Sequence, residues 1–345
     1  MLLFRCPYGN VYMLMAKYSA AFILSFFFAF CLTPLMRKAA LQMGIVDKPD
    51  GKLKTHGDTV PYLGGIAVYT AFLFTVGILS DFGQETLGLL LSGSIALMVG
   101  LIDDFGVLTP YQKLLGQMLA ALVLVKSGIY IKLVVLPLWL AIPLTVLWIL
   151  AVTNALNIID ILDGLASGVA AIAAIAIAFA NVMANRGPVA FLCIVLAGAI
   201  FGFLRYNFHP AKIYLGDAGS LFTGFMLAAL SMNAGYTRAN MLAVISPVLI
   251  LGIPLFDLAL VIWIRWRNGI PVTKGSPDHF ALRLRRCNLT VRETAVTTYV
   301  VGAILAGTAL LMSQVTLEWA AATVTGALSL ACLSAYLLLK VDMTP

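Results

Sequence analysis

Eleven apolar runs, each near the length of a membrane-spanning helix, limit this chain more than any other feature. They lie near residues 18–36, 61–80, 87–102, 112–129, 133–153, 164–183, 189–205, 219–236, 241–264, 295–313 and 319–339. About 20 mostly apolar residues cross the hydrocarbon core as a helix, because no water is present there to satisfy an open backbone. Composition agrees, with 61% of residues hydrophobic and 11% charged, where a soluble domain runs nearer half and a quarter. The expected fold is an all-α polytopic membrane protein of about eleven transmembrane helices, forming one domain over 1–345. Pro137 and Pro143 fall in the fifth run, where neighbouring helices can absorb them. The five cysteines, Cys6, Cys31, Cys193, Cys287 and Cys332, are scattered and lack metal-ligand spacing, so they read as small buried hydrophobes. A net charge of +7 without a long basic tract predicts no nucleic-acid partner.

Charge placement orients the chain. With residue 1 outside, 16 of the 22 lysines and arginines fall on inner segments, which predicts an outer N-terminus and a cytoplasmic C-terminus in a bacterial plasma membrane. The opening MLLFRCPYGNVYMLMAK lacks a basic start followed by a cleavage site, so no cleavable signal is expected. Of 15 acidic residues, only Asp81, Glu85 and Glu318 fall outside, and His56, His209 and His279 are all inside. Ionisable chemistry is therefore expected on one face, in loops near 37–60, 103–112, 154–164, 206–219 and 265–294.

Four of those segments carry chemistry. Asp103 and Asp104 end the third run, where two adjacent carboxylates repel each other and lack full hydration unless a cation or a proton relieves them. A solvated loop pair is the plainer alternative. Lys113 follows and can face the same pocket as a point charge for phosphate. The segment NALNIIDILDGLASG places Asn157, Asp160 and Asp163 three residues apart, which on a helix spreads them over about 120° of one face. Asn154 extends that stripe, which calls for a ligand-filled cavity or an interhelical hydrogen-bond seam. In YLGDAGS, Asp217 sits at a helix start among small residues, suited to a metal ion bridging phosphates or, equally, to a plain capped turn. The basic loop 265–294 holds His279, Arg283, Arg285 and Arg286, able to grip a pyrophosphate or simply to meet anionic headgroups.

Carboxylates for a hard cation (Mg²⁺, or Mn²⁺ in its place) and basic groups for phosphate together suggest phosphoryl transfer between a soluble substrate and a lipid. A prenyltransferase or an aspartate-dependent transporter would explain fewer of these segments, since transporters place such residues near the bilayer midplane.

At VDKPDGKLKTHGDTVPYLGG, DDFG with PYQKLLGQ, NALNIIDILDGLASG, YLGDAGS and PLFD, taken in order, the chain resembles the polyprenyl-phosphate N-acetylhexosamine-1-phosphate transferases of glycosyltransferase family 4. The first of these loops is most similar to the branch that uses UDP-GlcNAc and undecaprenyl phosphate. That branch usually carries His-x-His-His in its last inner loop, whereas this chain has His279 alone in SPDHFALRLRR. The resemblance implies transfer of a sugar-1-phosphate from a UDP-sugar to a polyprenyl phosphate with release of UMP, starting a lipid-linked envelope glycan such as O-antigen or a teichoic acid linkage unit. It also implies roles. Asp103 and Asp104 match the catalytic pair, with Asp104 beside the metal, and Asp217 matches a Mg²⁺ ligand. Asn154, Asn157, Asp160 and Asp163 would line the nucleotide-sugar pocket, and Lys113, His279, Arg283 and Arg285 would face phosphate. The expected partners are the two substrates and the bilayer, with a second copy of the chain, as a homodimer, a further candidate. The role of Asp257, in PLFD, stays open between catalytic and structural.

Overall fold

The computed structural model describes residues 7–47, 60–133, 136–232, 234–237, 239–271 and 278–343. Parts of two expected site loops, 48–59 and 272–277, lie outside the described residues and include Lys48, Lys52, Lys54, His56 and Lys274.

Helices account for almost all of what is described. They are α1 (Pro7–Met43), α2 (Gly64–Leu79), α3 (Gln84–Asp104), α4 (Pro110–Lys126), α5 (Leu138–Ile158), α6 (Leu165–Met183) and α7 (Gly187–Asn207). After these come α8 (Gly216–Met232), α9 (Ser246–Ile250), α10 (Gly252–Arg267), α11 (Phe280–Arg286), α12 (Val291–Met312) and α13 (Leu317–Leu339). Local chemistry sets several boundaries. Thr109 and Gln112 form a capping box at α4, with Pro110 at the first helical position, where its missing N–H costs nothing. Thr290 and Glu293 do the same for α12. Pro143 is accommodated inside α5, which runs unbroken to Ile158.

Each of the eleven apolar runs falls on helix, and the protein is a multi-span membrane protein. Seven helices are long and apolar enough to cross a bilayer on length and composition. The others expected to cross are α2, α4 and α8, of 16, 17 and 17 residues, and at 1.5 Å per residue each is about 25 Å long, short of a typical 30 Å core. The ninth run is not one straight helix: a 3₁₀ turn (Met241–Ile245) and α9 meet α10 at a 76° bend. Pro254 explains the break, because it offers no N–H and its ring would strike the carbonyl of Ile250 in a continuous helix. Counting that pair as one span gives eight.

The centre of the bundle is α6, α7 and α8, where α8 is buried at nearly every position. Small residues make this possible by letting helix backbones approach closely. At the periphery, α13 buries Ala320 alone. Large apolar side chains face outward across the molecule, among them Trp139, Ile304, Leu311 and Leu330, as a lipid-facing surface requires. A short hairpin absent from the sequence-based expectation joins β1 (Val46–Asp47) to β2 (Val60–Pro61), antiparallel. It leads directly to the site.

Candidate active site

The site is built around the first turn of α8. The chain entering it is clamped from one side by the segment leaving β2: Tyr214 N–H donates to the Pro61 carbonyl at 2.9 Å. The Gly64 and Gly65 amides donate in turn to the Tyr214 and Leu215 carbonyls, at 3.1 and 2.9 Å. Gly216 turns the backbone at φ +73°, a conformation few other residues adopt without strain. Both α2 and α3 then cross the start of α8 in near-contact. A Cβ on Gly65 would lie 2.2 Å from the Gly219 nitrogen, and one on Gly100 would lie 2.2 Å from the Asp217 carbonyl oxygen. The glycines of GDAGS therefore serve both turn and packing.

Asp104, the last residue of α3, receives this helix end. Its two oxygens accept from the Asp217 and Ala218 amides at 2.7 and 3.0 Å, satisfying N–H groups that a helix start leaves unpaired. Asp104 is thus a cap from a neighbouring helix, with both oxygens engaged by backbone. This geometry differs from the direct metal contact that the resemblance implied for it.

Asp217 projects from the capped turn into a polar cluster. Asn157, on the last turn of α5, donates from Nδ2 to Asp217 Oδ1 at 2.5 Å and to Ser220 Oγ at 2.8 Å. Lys113 Nζ, one turn into α4, lies 3.1 Å from Asp217 Oδ2, 2.7 Å from Asp103 Oδ2 and 2.9 Å from Asn157 Oδ1. Four residues expected from sequence to share a pocket, Asp103, Lys113, Asn157 and Asp217, therefore meet around one ammonium. Asn154 lies a turn deeper in α5. It pairs reciprocally with Gln117 of α4 at 2.6 and 3.3 Å, which is the interhelical seam rather than an open pocket wall.

Asp160 and Asp163 occupy the turn between α5 and α6. Burial, with the charges of Asp217, Asp104 and Asp163 adding to it, pushes Asp160 up to about 8. Asp163 accepts from the Ala211 amide at 3.0 Å and pairs with His209 Nδ1 at 2.6 Å. His209 was noted in the sequence only as inner-facing. Its signal was the FHPAK segment just before GDAGS, whose distance from Asp163 in sequence hid the pairing. Arg292, at the start of α12, donates to the His209 carbonyl at 3.1 Å, and Tyr299 of α12 donates to the Gly164 carbonyl at 2.6 Å. These bonds tie α12 to the site loops.

The basic loop divides its residues differently from expectation. Asp257 of α10 is fully buried, and its oxygens accept from the Phe280 amide and pair with His279 Nδ1, both at 2.8 Å. Arg283 is also buried. Its nitrogens reach the Leu338 and Val341 carbonyls at 2.9 and 3.2 Å, the Asp278 carboxylate at 3.3 Å and the Asp278 carbonyl at 3.3 Å. With every nitrogen so engaged, Arg283 fastens α11 to the end of α13. Arg285 is exposed and donates to the Leu289 carbonyl at 3.0 Å.

The carboxylates provide hard oxygen donors suited to Mg²⁺. Asp160 donates its backbone N–H to the Asn157 carbonyl at 3.3 Å while its carboxylate accepts no hydrogen bond among the described residues, and Asp103 and Asp217 converge on a cation already, the Lys113 ammonium. No group of three His, Cys, Asp or Glu is arranged as a metal cage among the described residues.

Comparison with known proteins agrees with this layout. The model for glycosyl transferase family 4 matches residues 86–235, the stretch that supplies Asp103, Asp104, Lys113, Asn157, Asp160, Asp163 and Asp217. A Bacillus subtilis (strain 168) protein named "Probable undecaprenyl-phosphate N-acetylglucosaminyl 1-phosphate transferase" is 32% identical over 312 residues, covering 88% of this chain and 87% of its own. A Mycobacterium tuberculosis (strain H37Rv) decaprenyl-phosphate N-acetylglucosaminephosphotransferase is 31% identical over 79% of this chain and 77% of its own. The Salmonella typhimurium (strain LT2) undecaprenyl-phosphate alpha-N-acetylglucosaminyl 1-phosphate transferase is 26% identical over 79% and 78%. Identity of this extent along nearly the whole length, with the family's own segment falling on the polar cluster, makes the chain a member of glycosyl transferase family 4.

Proposed function

We propose that this protein transfers N-acetylhexosamine-1-phosphate, with GlcNAc-1-phosphate as the preferred group, from a UDP-sugar to undecaprenyl phosphate at the cytoplasmic membrane face. The observation that carries this reading is the junction of Lys113 with Asp103, Asp217 and Asn157 at the capped start of α8, in a chain whose relatives are named as transferases of this kind. The carboxylates lie at helix ends rather than at mid-span, which supports a surface reaction over transport.

In this reading an oxygen of the lipid phosphate attacks the β-phosphorus of the UDP-sugar. The new P–O bond forms as the bond from Pβ to the bridging oxygen breaks, and UMP departs with that oxygen. Lys113 places positive charge beside the phosphates, and the engaged amides of the α8 turn keep Asp217 in a fixed position. Asp217, with one neighbouring carboxylate, would hold Mg²⁺, whose contribution would be to offset pyrophosphate charge and ease departure of UMP. A phosphate monoester is largely ionised at neutral pH, with its second pKa near about 6, so Asp103 acts chiefly through charge and position rather than as a strong base. Asp163, held by His209 and Ala211, would line the nucleotide side.

Product identity tests the reading. Purified protein with Mg²⁺, undecaprenyl phosphate and UDP-GlcNAc should yield UMP in water and a sugar pyrophosphate in the lipid extract. UDP as the nucleotide product, or no labelled lipid with UDP-GlcNAc or UDP-GalNAc, would contradict it.

A further inference from the structure

Sequence left Asp257 unassigned, and the geometry points to a role through His279: we infer that Asp257 is a positioning residue that holds His279 so that Nε2 is its substrate-facing nitrogen. The inference rests on the transfer reading above. Asp257 lies in α10 with no exposed surface, and one of its oxygens is engaged by the Phe280 amide at the first residue of α11. The other pairs with His279 Nδ1 at 2.8 Å. A buried carboxylate facing an imidazole nitrogen fixes that nitrogen as the N–H, which leaves Nε2 as an acceptor. Nε2 makes no hydrogen bond among the described residues, although the ring is otherwise buried. Such a ring is oriented at one end and available at the other, as a preorganised substrate contact requires.

The charged groups near this pair are Arg265 of α10, which interacts electrostatically with Asp257 and Asp278, and Arg283 of α11, which is tied to Asp278 and to carbonyls at the end of α13. Arg283 therefore holds the element while Asp257 orients the ring. The ligand that fits Nε2 is a hydroxyl of the nucleotide-sugar, which donates to it, since the lipid tail offers nothing polar and a phosphate oxygen, itself an acceptor, would be repelled by that lone pair.

Three variants separate orientation from mere packing. Asp257→Asn keeps an acceptor for the Phe280 amide but offers an amide N–H to Nδ1, which reverses the tautomer. H279N keeps a donor near the Nδ1 position and lacks Nε2, whereas H279Q places an amide near Nε2 and loses the anchor. With wild type releasing UMP, D257N is expected to raise KM for the UDP-sugar about tenfold while kcat falls less than threefold. H279N should melt within a few degrees of wild type yet show the same KM defect. D257N added to H279Q should cost less than a further threefold, because the two act through one contact. An unchanged KM in H279N, or losses that multiply in the double variant, would overturn the inference and reduce Asp257 to a helix cap. Should D257N fail to fold, H279N alone decides, because it leaves Asp257 in place. Failure of wild type to release UMP would instead overturn the transfer reading itself.

Discussion

A half-buried carboxylate and a fully buried one do similar work in this molecule with different consequences. Asp104 ends α3 and caps α8; Asp257 sits inside α10 and caps α11. Both oxygens of Asp104 take backbone amides, and the turn they hold is wedged by Gly65, Gly100 and Gly219 against neighbouring helices. Asp257 gives one oxygen to an amide and the other to an imidazole, and the helix it caps is seven residues long. The first arrangement fixes a residue, Asp217, whose position is set by packing on every side. The second fixes the direction of one ring. Under the proposed transfer, the first would serve as a rigid point for metal and phosphates, and the second would meet the donor.

Breaking the first cap should have the largest effect. Asp104→Ala leaves two amides of a buried turn without partners, each costing about 1–3 kcal/mol, and releases Asp217, so activity should fall below detection and the melting temperature drop in detergent. A close second is Gly100→Val, which forces a side chain into the Asp217 carbonyl; overpacking of this kind costs about 1–3 kcal/mol or more. Its loss of turnover should exceed its loss of stability if the position of Asp217 is what matters, and a variant that melts early yet turns over normally would count against the wedge.

Asp160 offers a pH test of the same region. Its carboxyl is held at about 8 in the folded protein, above the ordinary carboxylate value, so the unfolded chain loses that proton first. Stability from this group is present at acidic pH and declines as pH rises from about 4 through 8. Added Mg²⁺ should therefore raise the melting temperature more at pH 8.5 than at pH 6, as thermal scans with and without metal would reveal. An equal shift at both pH values would separate Asp160 from the cation.

The smallest effects belong to the arginines of α11. Arg283→Ala should lower the melting temperature, because its guanidinium joins α11 to the end of α13, while KM for the UDP-sugar changes less than twofold. Arg285→Ala, at an exposed site bonded only to a nearby carbonyl, should leave both within error. A large KM effect in Arg283→Ala would restore it to the substrate.

How much of this could be read in advance follows from what each feature depends on. Apolar length placed a helix at every run, and charge-poor stretches ending in Asp103, Asn157 and Asp217 located the cluster because polar groups at such positions have few other uses. The 76° break before α10 escaped because mean apolarity does not register one proline set against a carbonyl four residues earlier. Gly65 against Gly219, Asp163 with His209, and Asn154 with Gln117 escaped because each joins residues far apart in sequence, and nothing local marks the partner. The Leu338 and Val341 carbonyls on Arg283 escaped for a related reason, since they lie more than fifty residues away in sequence.

The central claim is that phosphoryl transfer occurs where Lys113, Asp103 and Asp217 meet. It is tested most directly by UMP release from UDP-GlcNAc in proteoliposomes, comparing wild type with Asp217→Asn and omitting undecaprenyl phosphate or Mg²⁺ in turn. Release by wild type that needs both components, and a loss of about 100-fold or more in a variant that still melts like wild type, is the predicted result, in line with removal of one group that stabilises charge in the transition state. Mg²⁺-dependent release by Asp217→Asn at near wild-type rate would contradict it.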